Sequence, residues 1–211
     1  MRITTLGLAI AAPLLLAFAA PPKPEDDFVG LVKAYLGMSH PTDWEGIEKL
    51  PGIKWAPLPA ASLKNCLPNG DCFARQGNAT VGDRAMTVVA TGARTMVIHL
   101  LIRNTSAPLG GPAIVAALKA AGYSADLARC PIKAGSGGTD WYRLTGAGGS
   151  PGLLAIQPAT AGRAGEGYVL SAGDELPALQ PNQLALYTEQ CAPGAARAPV
   201  STTKPHEALA Q

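Results

Sequence analysis

The sequence predicts an α+β domain: a mainly antiparallel β-sheet with helices packed on one face, held by two disulfides. Three observations carry this expectation. Stretches with helical spacing come first, β-rich runs follow, and then a further helix precedes more β-rich runs. Segregated elements of this kind favour an antiparallel sheet over alternating βαβ units. Short apolar runs are divided by glycine-rich turns (AGSGG, TGAGGSPG, AGRAGEG), the signature of hairpins. Four cysteines follow an export-like leader, and an even count in an oxidising compartment implies bridges.

The leader is MRITTLGLAIAAPLLLAFAA. Arg2 supplies a positive head, an apolar run follows, and Ala17-Phe18-Ala19 fits the small-x-small rule for cleavage. Residues 1–19 are therefore expected to be a signal peptide, with cleavage after Ala19 rather than before Pro21. The apolar run falls short of the ~20 residues a membrane span needs, so no stable membrane anchor is expected after processing. Residues 20–191 then form one α+β domain, readable as two helix-plus-strands halves meeting near residue 108. The small, polar, proline-rich residues 192–211 are expected to be a disordered tail. The expected location is periplasmic or secreted. Leader type and the Ala/Gly/Pro-rich composition favour a bacterial origin.

Pro24 and the acids Glu25, Asp26 and Asp27 open a helix, because negative charge in the first turn complements the helix dipole. Phe28, Leu31, Val32, Tyr35 and Leu36 follow on one face, and Gly37 ends it. Thr42-Asp43-Trp44-Glu45 has a capping-box pattern, predicting a second short helix to about Leu50. PGIKWAPLP reads as an extended segment. Residues 73–103 read as strands, with β-rich runs at 85–91 and 95–103 joined by a hairpin link. The run TMVIHLLIR is apolar nearly throughout and predicts a central strand. GGPAIVAALKAAG predicts the clearest helix, with Pro112 at its start and Gly122 as its cap. Further strands are expected at 123–132, 139–144, 153–157, 168–171 and 183–188.

The stretch CLPNGDC places Cys66 and Cys72 around a turn. Proline suits the first central position of such a turn, and glycine supplies the left-handed residue that closes it. Cys66 then faces Cys72 across a hairpin, at a spacing within disulfide reach. The spacer is too long for thioredoxin-like chemistry, and no further ligands lie nearby for zinc. Cys130 and Cys191 remain as the second pair. The chain-entropy relation gives the short bridge ~2.4 kcal/mol and the long one ~4.3 kcal/mol. The loop tip, Asn69, Gly70 and Asp71, is a candidate binding element, since a bridged loop loses little entropy on docking. The plainer reading is a staple.

Several function classes lose support at this level. Net charge is +2, with no basic stripe for nucleic acid. Aromatics make up 5%, too few for a stacking platform. Gly148-Gly149-Ser150-Pro151-Gly152 matches G-x-S-x-G, but the oxyanion hole of that elbow needs the N–H of the residue after serine, and Pro151 has none. His99 lies alone in an apolar strand and reads as a sheet residue. No catalytic residue, metal-binding motif or cofactor fingerprint is found.

IVAALKAAGYSADLARC followed by TDWYRLTG resembles part of a SPOR domain, a peptidoglycan-binding module. The resemblance covers about residues 95–146, in the order strand, helix, strand, W-Y-R-V-like strand. It lacks the family's second helix and the V-Q-V-G pattern in its first strand. It implies a glycan ligand, with Trp141, Tyr142 and Arg143 as candidate binding residues if they face solvent, Trp141 and Arg143 foremost. The leading expectation is a non-enzymatic, disulfide-stabilised envelope protein that binds or inhibits a partner. A glycan-binding module is the first alternative, and an envelope hydrolase with an unrecognised site is the second.

Overall fold

A computed structural model describes residues 24–40, 42–57, 72–81, 84–104, 109–133, 136–146, 148–159 and 165–191. The expected signal peptide, the tail and the loop residues Cys66, Asn69, Gly70 and Asp71 lie outside these residues.

Helix α1 spans Pro24–Leu36 and buries Phe28, Leu31, Val32, Tyr35 and Leu36, the residues its spacing singled out. It ends where Gly37 N–H donates to Lys33 O at 2.9 Å. The expected second helix is only a four-residue 3-10 turn, Gly46–Lys49. Two observations explain why the capping box does not form. Thr42 is drawn into an isolated bridge with Val97 and is 6% exposed. Asp43 Oδ1, not Thr42, accepts the N–H of Gly46 at 2.5 Å. Helix α2 spans Gly111–Ala120 and buries Ile114 and Leu118. Gly122, at φ 92°, turns the chain out of α2 in a conformation open to glycine.

Among the described residues nine strands form the sheet: β1 Ile53–Trp55, β2 Phe73–Val81, β3 Arg84–Ala93, β4 Met96–Asn104, β5 Tyr123–Pro131, β6 Asp140–Gly146, β7 Gly152–Gln157, β8 Gly167–Ala172 and β9 Tyr187–Thr188. All neighbours are antiparallel, in the order β1-β2-β3-β4-β8-β7-β6-β5-β9. The expected strand at 183–188 is reduced to its last two residues, because 181–186 forms turns. Leu184 and Leu186, whose alternation suggested a strand, are 62% and 57% exposed.

The order has an internal symmetry. Each half is a helix followed by a four-strand meander, α1 with β1–β4 and α2 with β5–β8. The last strands of the two halves, β4 and β8, pair at the centre, from His99↔Ser171 to Arg103↔Gly167. Strands β4 and β6 are kept apart by β8 and β7, so residues 95–146 do not form a sheet of their own.

Both helices lie on one face of this sheet. Their buried side chains join Met86, Val88, Leu100, Ile102, Leu144, Leu154, Ile156, Tyr168 and Leu170 in a single apolar core. Phe28 meets Tyr168 with ring centroids 4.9 Å apart. The Tyr168 hydroxyl donates to Glu166 Oε2, and the same oxygen accepts the N–H of Gly110, at the start of α2, at 3.1 Å. One carboxylate thus satisfies a buried hydroxyl and an orphan helix donor. At the other end Arg75 is 8% exposed. It donates to Ala56 O at 2.6 Å and pairs with Glu48 at 2.6 Å. A buried guanidinium needs such partners.

Cys130 and Cys191 form a disulfide with Cα atoms 6.0 Å apart. No described cysteine is a free thiol. Among the described residues no helix is long and apolar enough to cross a membrane.

Candidate functional site

Strand alternation divides the side chains between the helix-covered face and a second, outer face. Tyr142 and Leu144 pack with the core, so Trp141 and Arg143 project outward. Sequence reasoning left Trp-Tyr-Arg as one group; the period of two already separates tyrosine from its neighbours.

The registers extend this outer face across the molecule. Val89, Leu101, Val169, Ala155, Trp141 and Arg129 stand opposite one another on β3, β4, β8, β7, β6 and β5. Beside them run Thr91, His99, Ser171, Leu153, Arg143 and Asp126 on the same strands. The first row is an apolar stripe ending in an indole and a guanidinium; the second is mostly polar. Ala155 and Leu153 are 0% and 2% exposed, while Trp141 is half-buried and Arg143 is exposed. His99 is thus a sheet residue flanked by two hydroxyls.

Arg129 was not singled out by its sequence context. A register shift between Leu127 and Arg129 swings it onto the outer face opposite Trp141. Such a bulge has no reliable signature in YSADLARCP. Arg129 is 5% exposed; its Nη1 donates to Pro177 O and its Nη2 to Glu189 Oε1, both at 2.6 Å. Its Nε is buried without a partner. The Arg129 hydrogen bond holds the Glu189 carboxyl below the ordinary glutamate range, helped by the charges of Arg129 and Arg143.

The chain after β8 returns over this region. Gly173 N–H donates to Pro151 O at 2.8 Å, and Arg143 Nε donates to Asp174 O at 3.2 Å. Because Arg143 and Arg129 are on β6 and β5, residues 173–177 run from β6 toward the β5 edge on the outer face. There Ile132 N–H donates to Leu186 O at 2.9 Å, Tyr187 and Thr188 pair with β5, and Cys191 bonds Cys130.

Two open concavities lie elsewhere among the described residues. One of about 320 Å³ is lined by Met38, Thr42, Asp43 and Lys49, and one of about 520 Å³ by Lys54, Asn78, Thr80 and Thr87. Neither touches the outer-face rows at Trp141. Gly148–Pro151 lies in the turn joining β6 to β7 and Gly152 begins β7, with Ser150 N–H donating to Leu36 O at 2.9 Å. Among the described residues no three His, Cys, Asp or Glu side chains gather as a metal site.

The arrangement is suited to recognition. An indole beside the exposed Arg143 guanidinium can stack on a flat apolar surface while the guanidinium donates hydrogen bonds to carbonyls, carboxylates or hydroxyls, and Arg129 next to it already holds Pro177 O and Glu189. No protein-family model matches the chain, and no curated protein or solved structure is found to be similar to it.

Proposed function

We propose that the chain is an exported, disulfide-stabilised binding domain of a bacterial envelope, periplasmic or secreted, that docks or inhibits a protein partner without catalysing a reaction. The observation that supports this reading is the sheet face opposite the helices, where an apolar cross-strand row ends at Trp141 and Arg129, with Arg143 in the row beside it. Arginine and tryptophan are the residues that most often anchor interfaces. The expected Cys66–Cys72 bridge would add a second rigid element at Asn69, Gly70 and Asp71.

A glycan ligand is the second reading. It is favoured by the projection of Trp141 and Arg143 onto one face, since sugars stack on aromatic rings and accept from guanidinium groups.

The test is a pair of binding measurements on the mature protein. A photo-crosslinking residue at position 141 should label an envelope protein, whereas one at position 119, on the exposed side of α2, should not. Equal labelling from both positions refutes the face as the site. Retention on purified peptidoglycan, lost in Trp141→Ala/Arg143→Ala, selects the glycan reading. Retention unchanged by that pair removes it.

A further inference from the structure

We propose that residues 173–191 are a latched strap, an intramolecular occupant of the Trp141–Arg129–Arg143 face, released by reduction of the Cys130–Cys191 disulfide. The inference deepens the binding reading, because it assigns regulation to the same face.

The strap is attached in an unusual way. Its carbonyls at Asp174 and Pro177 accept from Arg143 and Arg129, and its Glu189 carboxylate accepts from Arg129. These are the hydrogen bonds a peptide ligand would make to the two guanidinium groups. Of its four leucines, Leu176 and Leu179 are half-buried, whereas Leu184 and Leu186, nearer the disulfide, are mostly in solvent. Its only ladder is the two-residue strand β9. A segment outside the main core with a two-residue ladder opens locally at lower cost than the sheet beneath it. At its far end the covalent link to β5 reinforces the Ile132–Leu186 hydrogen bond, the β9 pairing and the Arg129–Glu189 contact. The core does not depend on it, since no strap residue belongs to the apolar cluster between helices and sheet.

Release is a balanced exchange with a dithiol reductant. One reductant thiolate attacks a sulfur of the bridge and forms a mixed disulfide. Its second thiol then displaces the protein sulfur. Cys130 and Cys191 gain two electrons and two protons, and the reductant leaves as its own disulfide. Arg129, Arg143 and the surface around them then become available to an extended peptide that carries carbonyls and an acidic side chain in similar positions.

Hydrogen exchange on the mature protein tests this, with and without a dithiol, and in Cys130→Ser/Cys191→Ser. Amides of 174–190 should exchange at least tenfold faster in the reduced protein and in the variant, with β3, β4, β7 and β8 unchanged within twofold. Hydroxyl-radical labelling of Trp141 and Leu153 should rise severalfold in the same samples. Unchanged exchange in the strap overturns the proposal. So does faster exchange throughout the sheet, because the bridge would then support the whole fold. A strap that opens over a face holding neither peptide nor glycan leaves this inference standing and refutes the binding assignment instead.

Discussion

Gly92 sits where the β3–β4 register shifts, opposite Val97 while its neighbour Thr91 faces His99. A Cβ at this position would overlap the carbonyl oxygen of Met96. It would also lie 2.9 Å from Ile98 N and 3.0 Å from Val97 Cα. Carbon contacts are comfortable near ~3.5 Å or beyond. Every one of these atoms is backbone, so no rotamer change relieves the clash, and Gly92→Ala must force the two strands apart. The same ladder end anchors Trp44, whose indole N–H donates to Ala93 O and Arg94 O, both at 3.1 Å. Overpacking of this kind costs ~1–3 kcal/mol, and backbone atoms place it at the upper end. Alanine recovers ~0.5–1 kcal/mol over glycine in a strand. The net loss is then ~2 kcal/mol. With a denaturant slope of ~2 kcal/mol/M, the urea midpoint should fall by ~1 M. Gly30→Ala is the matched control: its Cβ meets nothing within 4 Å in the exposed side of α1, so the midpoint should rise. A Gly92→Ala midpoint equal to or above wild type refutes the reasoning about the bulge.

Three more outcomes follow from the same contacts. Leu154 is fully buried between the helices and the sheet, so Leu154→Ala should cost ~2–5 kcal/mol in chemical denaturation. Glu166→Ala should cost more than Tyr168→Phe, roughly 2–3 against 1 kcal/mol, because it removes the acceptor shared by the Tyr168 hydroxyl and the Gly110 N–H, while the phenylalanine removes a donor cleanly. Glu189 has a depressed folded-state pKa, so its contribution is present above the ordinary glutamate value and is lost as pH falls through the depressed one. Thermal melts should show that acid-side loss in wild type and lack that component in Glu189→Gln; identical profiles count against the Arg129 contact.

Much of the fold can be read from residue order, and the exceptions have physical causes. The helical spacing of Phe28, Leu31, Val32, Tyr35 and Leu36 marks α1 because one core face selects all five. The near-continuous TMVIHLLIR marks β4, which pairs on both sides at the middle of the sheet. The second helix is misread because Thr42 has a better partner in Val97, a contact between residues far apart in sequence. QLALYT alternates like a strand, yet Leu184 and Leu186 have nothing to pack against. At the candidate site Trp141 and Arg143 are nameable from sequence. Arg129 is not, because a one-residue bulge decides its face. Glu166 is equally hidden: its two partners, Gly110 and Tyr168, come from different elements.

The central seam between β4 and β8 imposes an order of events during synthesis. The first meander can assemble as soon as it leaves the ribosome, but its last strand then has one bare flank. That flank belongs to a strongly apolar strand, and its natural neighbour is encoded near the far end of the second half. Nascent chains therefore pass through a stage in which an open, sticky ladder awaits completion, and that is when they are most prone to pair with each other.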